Sequence, residues 1–253
     1  MKLVNKLLLG LCLCFIVYSC QQDEEITLTT QEQLEQLVLE IKEETGISIF
    51  YEPGTSELQL SAENQISVTS ADYPSTDYSK LLSEVKHIDL EIKKIPEGFI
   101  DTLNIDCILL VNHNLGWAGK ASNFPLAVVG LNNSSTSSFF NQRLIPHEFF
   151  HLFDFGGGSL IDPNSTFELS WAENNPPDFE YGDGCGSGGL NFAPSDGFLN
   201  NYARCDPSED RAVLFSFMYD RHSAAKALIE QDPYLKGKSE IIKDMLSAFN
   251  FQF

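Results

Sequence analysis

Hydrophobic residues recur at helical spacing in two segments of the chain, and a third segment is apolar almost throughout. The first segment begins at Gln31 and stops at Gly46, and the second covers residues 78–94, before Ile95-Pro96. Residues 206–220 are nearly all apolar after the first turn and predict a buried helix. The two helical stripes consist of Leu34, Leu37, Val38 and Ile41, and of Leu81, Leu82, Val85, Ile88 and Ile92.

Shorter aliphatic runs predict the strands of a sheet. Residues 106–111 and 126–131 are such runs, and each is bounded by Asn, Gly or Pro. Residues 47–51 and 57–60 flank the turn pair Pro53-Gly54, which predicts an early hairpin. Together these patterns predict an α+β fold with a small mixed sheet against the helices.

The C-terminal part of the chain is richer in glycine than the N-terminal part. Glycines cluster between residues 156 and 189 and predict long irregular loops. The length of 253 residues, with 43% hydrophobic and 21% charged residues, is typical of a globular protein. We therefore expect a single domain over residues 31–253, with an N-terminal lobe at about 31–155 and a C-terminal lobe at about 156–253.

The net charge excludes one class of partner. The chain has 16 Lys plus Arg residues and 36 Asp plus Glu residues, a formal net charge of −20. Binding to a phosphate backbone depends on many cationic contacts, so we expect no nucleic-acid partner.

The N-terminus has the parts of an export signal. Two lysines and an apolar stretch over residues 7–17, too short to span a bilayer, precede Ser19 and Cys20. The segment Val17-Tyr18-Ser19-Cys20 resembles a bacterial lipobox, which implies a signal peptide over residues 1–19 and acylation of the Cys20 thiol. The membrane would then be contacted through lipid only. A plain secretory signal that is cut elsewhere is the alternative.

The residues after Cys20 are acidic. The cluster Gln21-Gln22-Asp23-Glu24-Glu25 resembles the surface-export signal of lipoproteins in Bacteroidetes. That resemblance implies an outer-membrane lipoprotein on the periplasmic or cell-surface face. Residues 20–30 also have the composition of a solvated tether between an anchor and a domain, which is the simpler explanation of the acidic residues.

Three cysteines remain in the exported chain beyond Cys20. Cys185 lies in a glycine-rich loop and Cys205 lies just before a predicted helix, so these two are the candidate disulfide pair. Cys107 lies in an apolar run and is expected to be a buried thiol. Three independent buried thiols are the alternative.

The segment Pro146-His147-Glu148-Phe149-Phe150-His151 contains the pattern H-E-x-x-H. Two histidines four residues apart share one helical face and can bind one metal ion, with Glu148 beside it as a proton acceptor. Two core histidines without a metal are the alternative. Because proline disfavours a helix interior, we expect Pro146 in the first turn or at a kink, with residues 143–145 as the start.

The remaining polar residues near the motif have less specific predictions. Asp154, one turn after His151, is expected to accept the free ring N–H of a ligating histidine or to cap the helix end. The other histidines lie in unrelated surroundings and are expected to be structural or surface residues; they are His87, His113 and His222.

A catalytic zinc ion needs a third protein ligand, and the sequence offers several carboxylates. The metzincin pattern is excluded, because Asp154 and Gly157 stand where it needs Gly and His. Only Glu209 introduces a strongly apolar helix that can pack beside the motif helix. The segment Asp206-Pro207-Ser208-Glu209 is also a typical helix start, in which Glu209 would reach back to the cap. The candidate carboxylates are Glu168, Glu173, Glu180 and Glu209.

A second segment carries a resemblance to a known family. Tyr-Ala-Arg-Cys-Asp-Pro-Ser-Glu-Asp-Arg-Ala at residues 202–212, followed by Phe215 and Met218, resembles the second motif of lethal-factor-type zinc peptidases. The first motif is present as His-Glu-Phe-x-His-x-x-Asp at residues 147–154. The resemblance implies that Glu209 is the third zinc ligand and that Tyr202 assists catalysis. One departure is Val213, where that family has another Glu.

The stretch between the two motifs extends the resemblance. Trp171, Asn175-Pro176, Phe179 and Tyr181, together with the lipoprotein start, are similar to a family of zinc metallopeptidase lipoproteins of Bacteroidetes. The similarity covers residues 146–219 and leaves the first half of the chain unmatched. It implies a zincin-like domain of gluzincin type, one Zn²⁺ per chain, and a peptide or protein substrate.

The sequence therefore predicts an exported, lipid-anchored zinc metallopeptidase. Glu148 is the expected general base, and Tyr202 is the expected stabiliser of the oxyanion. The alternative is a non-catalytic surface lipoprotein that binds a glycan or protein partner and has a structural or relic zinc site. A metal-dependent hydrolase acting on something other than peptides would use the same residues.

Overall fold

The computed structural model describes residues 28–51, 77–111, 119–122, 127–132, 138–156, 166–186 and 189–253. The predicted export signal, Cys20, His113 and the second half of the predicted hairpin lie outside these residues. The helices and strands in chain order are α1 (Thr30–Thr45), β1 (Ser48–Phe50), α2 (Tyr78–Ile92), α3 (Glu97–Leu103), β2 (Ile105–Val111), β3 (Gly119–Ser122), β4 (Ala127–Asn132), α4 (Ser138–Gly156), α5 (Thr166–Glu173), α6 (Pro207–Tyr219), α7 (Ser223–Gln231) and α8 (Pro233–Met245).

The four strands form one small mixed sheet. Its order is β1-β2-β4-β3, with parallel pairing from β1 to β2 and from β2 to β4. Strand β3 pairs antiparallel with β4 and ends the sheet. The prediction of an α+β fold with a small mixed sheet is confirmed, and the described chain is dominated by helices. The two predicted sheet strands are β2 and β4, each displaced by one residue at one or both ends.

The two predicted N-terminal helices are present as α1 and α2. Helix α1 begins with a capping box between Thr29 and Glu32 and ends where Gly46 adopts a left-handed φ of 77°. Helix α2 ends at Ile92, two residues before the predicted end, because the chain must straighten ahead of Pro96. All five apolar residues of its predicted stripe are buried. These helices pack on each other, and an ion pair between Lys93 and Glu44 links their C-terminal ends.

Helix α4, which carries the H-E-x-x-H motif, begins at Ser138, well before Pro146. The prediction of a helix start at residues 143–145, with Pro146 in the first turn, is therefore wrong, whereas the alternative of a kink at Pro146 stays a prediction. A proline inside a helix lacks one backbone hydrogen bond, which costs about 3 kcal/mol. Burial offsets that loss, since Leu144, Ile145 and Phe149 beside the proline are in the core.

Helix α6 lies against α4, and its two ends are each within one residue of the predicted segment 206–220. Asp206 caps it by accepting hydrogen bonds from the backbone N–H groups of Ser208 and Glu209, at 2.8 and 3.0 Å. Aromatic side chains fill the contact between the two helices, and the rings of Phe150 and Phe215 stack with centroids 4.8 Å apart. This packing fixes the distance between the motif helix and the first turn of α6.

The described part of the predicted irregular region contains helix α5 and the loop between α5 and α6, while residues 157–165 lie outside the described residues. A disulfide joins Cys185 to Cys205, the pair singled out by the sequence, and Cys107 is a buried thiol in β2. Asn200 is buried inside the loop, where its amide donates to the carbonyls of Gly189 and Asn191. The loop therefore reaches α6 in a defined conformation.

Helices α7 and α8 were missed by the sequence analysis. Asp232 caps α8, and Pro233 takes the first helical position, which is the same Asp-Pro start that identified α6. This signal could have predicted α8. Among the described residues, no helix has the length and hydrophobicity needed to span a bilayer.

Candidate metal centre

His147 and His151 lie one turn apart on the face of α4 that points toward α6. Their Nε2 atoms are 3.1 Å apart, and both side chains are buried. The spacing of four residues places the two rings side by side because an α-helix has 3.6 residues per turn. Two imidazole nitrogens therefore meet at one point between the helices.

Glu209 reaches the same point from the first turn of α6. Its Oε2 atom lies 3.2 Å from Nε2 of His147 and 3.3 Å from Nε2 of His151. Asp206 caps the helix, and the Glu209 carboxylate points to the histidines instead of reaching back to the cap. Among the described residues, these three side chains form the one cluster of metal-binding groups, with all ligand atoms within 4.8 Å of one another.

The three atoms have the spacing that a zinc ion requires. Ligand atoms about 2.0–2.1 Å from a tetrahedral Zn²⁺ lie about 3.3 Å from one another. The three separations here are 3.1, 3.2 and 3.3 Å. Oε2 of Glu209 is buried and has no hydrogen-bond donor among the described residues. A buried polar atom without a partner costs free energy, and a bound cation would remove that cost. The donor set of two imidazoles and one carboxylate therefore fits zinc.

The electrostatics of the three groups favour a charged carboxylate. Burial acts to raise the pKa of Glu209, but the neighbouring imidazoles of His147 and His151 outweigh it and hold that pKa below its ordinary value. Burial lowers the pKa of His147. At His151 burial also acts to lower the pKa, yet Glu209 and Glu148 raise it overall. Glu209 is thus ionised and ready to act as a ligand at neutral pH.

Glu148 follows His147 in α4, interacts electrostatically with His151 and faces β3. A Cβ atom at Gly119 would lie only 2.2 Å from Oε1 of Glu148, so this carboxylate needs a glycine in the strand. Burial raises the pKa of Glu148 to about 8, and a backbone hydrogen bond from Ala121 partly opposes the shift. Gly119 was missed by the sequence analysis. A glycine within a short strand is a signal of close approach, but it does not name the partner.

Tyr202 lies in a 3-10 turn (Tyr202–Arg204) just before α6. Its hydroxyl donates a hydrogen bond of 2.8 Å to Oε1 of Glu209, the carboxylate oxygen that is turned away from the histidines. Burial raises the pKa of Tyr202, and the negative charge of Glu209 raises it further. The hydroxyl therefore keeps its proton. The described contact orients the candidate ligand, whereas the sequence analysis expected an oxyanion partner.

Asp154 lies at the C-terminal end of α4 and pairs with α6. Its Oδ2 atom accepts from Nε of Arg211 at 2.8 Å and lies 2.7 Å from a second guanidinium nitrogen. The charge of Asp154 also helps to raise the pKa of His151, after the larger effects of burial and Glu209. Arg211, two residues after Glu209, was missed as a partner because the pair spans 57 residues of sequence.

The remaining candidates lie away from the cluster. Glu173 and Glu180 are exposed and do not join it. Glu168 belongs to α5, but its side chain lies outside the described part of the chain. His222 caps α7 by accepting from the N–H of Ala225, in line with a structural role, and His87 is half-buried in α2.

Comparisons with known proteins give the fold and little more. No protein-family model matches the chain, and no curated protein matches it. A solved structure named as a putative zinc-binding metallo-peptidase from Bacteroides caccae is similar, with a TM-score of 0.57. The similarity covers 90% of this chain and 89% of that one, at 16% sequence identity. At this identity the two proteins share a fold.

Proposed function

We propose that this protein is a zinc-dependent peptidase with His147, His151 and Glu209 as the ligands of one Zn²⁺. The observation that supports this most directly is the triangle of three buried ligand atoms with the edge lengths of a zinc site. The fold shared with a protein named as a zinc-binding metallo-peptidase supports the peptidase activity.

The chemistry follows from the groups around that triangle. Bound zinc would act as a Lewis acid toward a peptide carbonyl and would lower the pKa of a water molecule. Glu148 would accept the proton of that water and deliver it to the leaving amine, since its carboxylate interacts electrostatically with His151 and Glu209. Tyr202 would hold Glu209 through Oε1 and leave Oε2 for the metal.

Zinc content per chain, measured by elemental mass spectrometry, tests the ligands. The parent protein is expected to contain about one zinc, which Glu209→Ala should remove because the third ligand is lost. Glu173→Ala is the matched control, since Glu173 is an exposed carboxylate away from the cluster. A folded parent without zinc, even after zinc is supplied, would contradict the proposal.

Cleavage of a peptide library tests the reaction. Glu148→Gln should keep zinc and lower turnover by about 10²- to 10⁴-fold, the usual contribution of a general base. A variant that cleaves like the parent would exclude Glu148 as the base. A zinc-loaded parent that cleaves no peptide would favour a hydrolase with another substrate or the non-catalytic surface lipoprotein.

We also propose that the chain is exported and anchored through Cys20 to the outer membrane. The lipobox resemblance and the acidic cluster after Cys20 support this proposal. Metabolic labelling with a fatty acid should mark the parent and leave Cys20→Ala unlabelled. Protease treatment of intact cells then distinguishes the cell-surface face from the periplasmic face. Equal labelling of both proteins would exclude Cys20 as the acylated residue.

A further inference from the structure

A second cluster of buried and half-buried polar side chains lies at the first turn of α6, next to the candidate ligand Glu209. We call it the Asp210 cluster; it consists of Asp210, Lys238, Tyr181 and Trp171. Asp210 is 1% exposed and Lys238 is fully buried. Oδ2 of Asp210 accepts hydrogen bonds from Lys238 Nζ at 2.7 Å, the Tyr181 hydroxyl at 2.8 Å and Trp171 Nε1 at 3.2 Å.

The cluster joins four separate segments of the chain. Asp210 lies in the first turn of α6, Lys238 in α8 and Trp171 in α5, while Tyr181 belongs to the loop before α6. Nζ of Lys238 also donates a hydrogen bond of 3.0 Å to the carbonyl of Gly197, and it lies 3.9 Å from the ring centre of Phe198. The start of α6 is therefore held by side chains from α5, from α8 and from the preceding loop.

Stability alone does not explain a buried ion pair of this kind. Both charged groups are withdrawn from water, since Asp210 is 1% exposed and Lys238 is fully buried, and removing a charge from water costs free energy that its partner must offset. Replacing such a pair with apolar residues of similar volume often leaves stability unchanged or improved. The pair instead fixes the orientation of the Asp210 side chain, because several charge-assisted hydrogen bonds converge on one of its carboxylate oxygens.

We propose that the Asp210 cluster positions Glu209 for metal binding. Successive residues of a helix point about 100° apart, so holding Asp210 sets the rotation of the first turn and with it the direction of the neighbouring Glu209. Tyr202 then completes the orientation by holding Oε1 of Glu209. Asp210, Lys238 and Tyr181 are positioning residues for the zinc site. The inference rests on the proposed function.

The double variant Asp210→Leu/Lys238→Met tests the proposal in the full mature protein. The variant removes both charges together. Trp171 Nε1 can still donate its hydrogen bond of 3.0 Å to the Tyr181 hydroxyl. Zinc affinity, measured by competition with a chelator, is expected to fall by about 10- to 100-fold, as for other groups that orient metal ligands. The unfolding midpoint of the metal-free variant should stay near that of the parent.

Asp220→Asn is the matched control. This variant neutralises a carboxylate whose Oδ2 atom lies 3.0 Å from Nε of the buried Arg143. Asp220 is at the other end of α6, about 16 Å from Glu209 along the helix. Its zinc affinity should equal that of the parent. Parent-like zinc affinity in the double variant would overturn the proposal, whereas a parent that binds no zinc would instead overturn the proposed function.

Tyr181→Phe provides a second test that does not depend on the double variant folding. It removes one hydrogen bond to Asp210 at nearly constant volume, on a side chain that is only half-buried. Zinc affinity should fall by about tenfold, the low end of the same range. The visible spectrum of the cobalt(II)-loaded protein should shift if Glu209 has turned. A spectrum and an affinity like those of the parent would contradict the positioning role.

Discussion

The two faces of helix α4 are equally shielded from water and chemically opposite. His147 and His151 face the first turn of α6, whereas Phe150 and Phe153 face the aromatic core around Phe215. His147 is 2% exposed and Phe150 is fully buried. Burial stabilises the aromatic face directly, but it works against the polar face unless its nitrogen and oxygen atoms find partners.

The difference shows how the fold separates stability from chemistry. On the aromatic face, stacked rings hold α4 and α6 at a fixed distance without any ion. On the polar face, the same distance brings three ligand atoms to the edge lengths of a zinc site. The free energy gained by packing the aromatic face therefore offsets the cost of removing the polar face from water. Mutations on the two faces should have different consequences.

Truncation of the aromatic face should have the largest effect on stability. Phe150→Ala removes a ring that is fully buried between α4 and α6, and it should lower the free energy of unfolding by about 3–5 kcal/mol. Denaturant titration measures the loss. The folded fraction should still bind zinc. A variant of parental stability that has lost zinc would show that the two faces are not separable.

Metal binding should stabilise through the polar face alone. Zinc at about 1,000 times its Kd should raise the free energy of unfolding by about 4 kcal/mol. Thermal melts with and without zinc measure the increment, which Phe150→Ala should keep and Glu209→Ala should lose. An increment that survives in Glu209→Ala would mean that zinc binds elsewhere.

Crowding the general base should affect activity more than stability. Gly119→Ala places a Cβ atom 2.2 Å from Oε1 of Glu148, so turnover should fall by about 100-fold, the low end of a general base's contribution. The free energy of unfolding should change by about 1 kcal/mol, because the clashing atoms are the ends of flexible side chains. Gly98→Ala is the control, since a Cβ there meets nothing within 4 Å. Peptide cleavage and denaturant titration distinguish the two effects.

The smallest expected effect concerns the orientation of the third ligand. Tyr202→Phe removes the hydrogen bond to Oε1 of Glu209, so zinc affinity should fall by about tenfold. Tyr219→Phe is the control, because that hydroxyl donates to the Glu91 carbonyl at the far end of α6. Chelator competition measures both. Unchanged affinity with slower turnover at saturating zinc would assign Tyr202 to the oxyanion instead.

Much of the fold could be predicted because its signals are local. The stripes of α1 and α2 and the Asp-Pro start of α6 depend on residues a few positions apart, and the structure has these helices within two residues of the predicted ends. The first-turn prediction for Pro146 was wrong for the opposite reason. Its position inside α4 depends on burial against other segments, which offsets the lost hydrogen bond.

The sequence by itself determined the pair of histidines and Glu148, because H-E-x-x-H places the two histidines on one helical face with Glu148 next to them in the helix. Only the tertiary structure decided which carboxylate meets them. Glu209 and His151 are 58 positions apart, and they meet because aromatic rings pack α4 against α6. Gly119 beside Glu148 and Lys238 behind Glu209 are likewise contacts between distant segments. Such contacts follow from packing, and no local pattern records them.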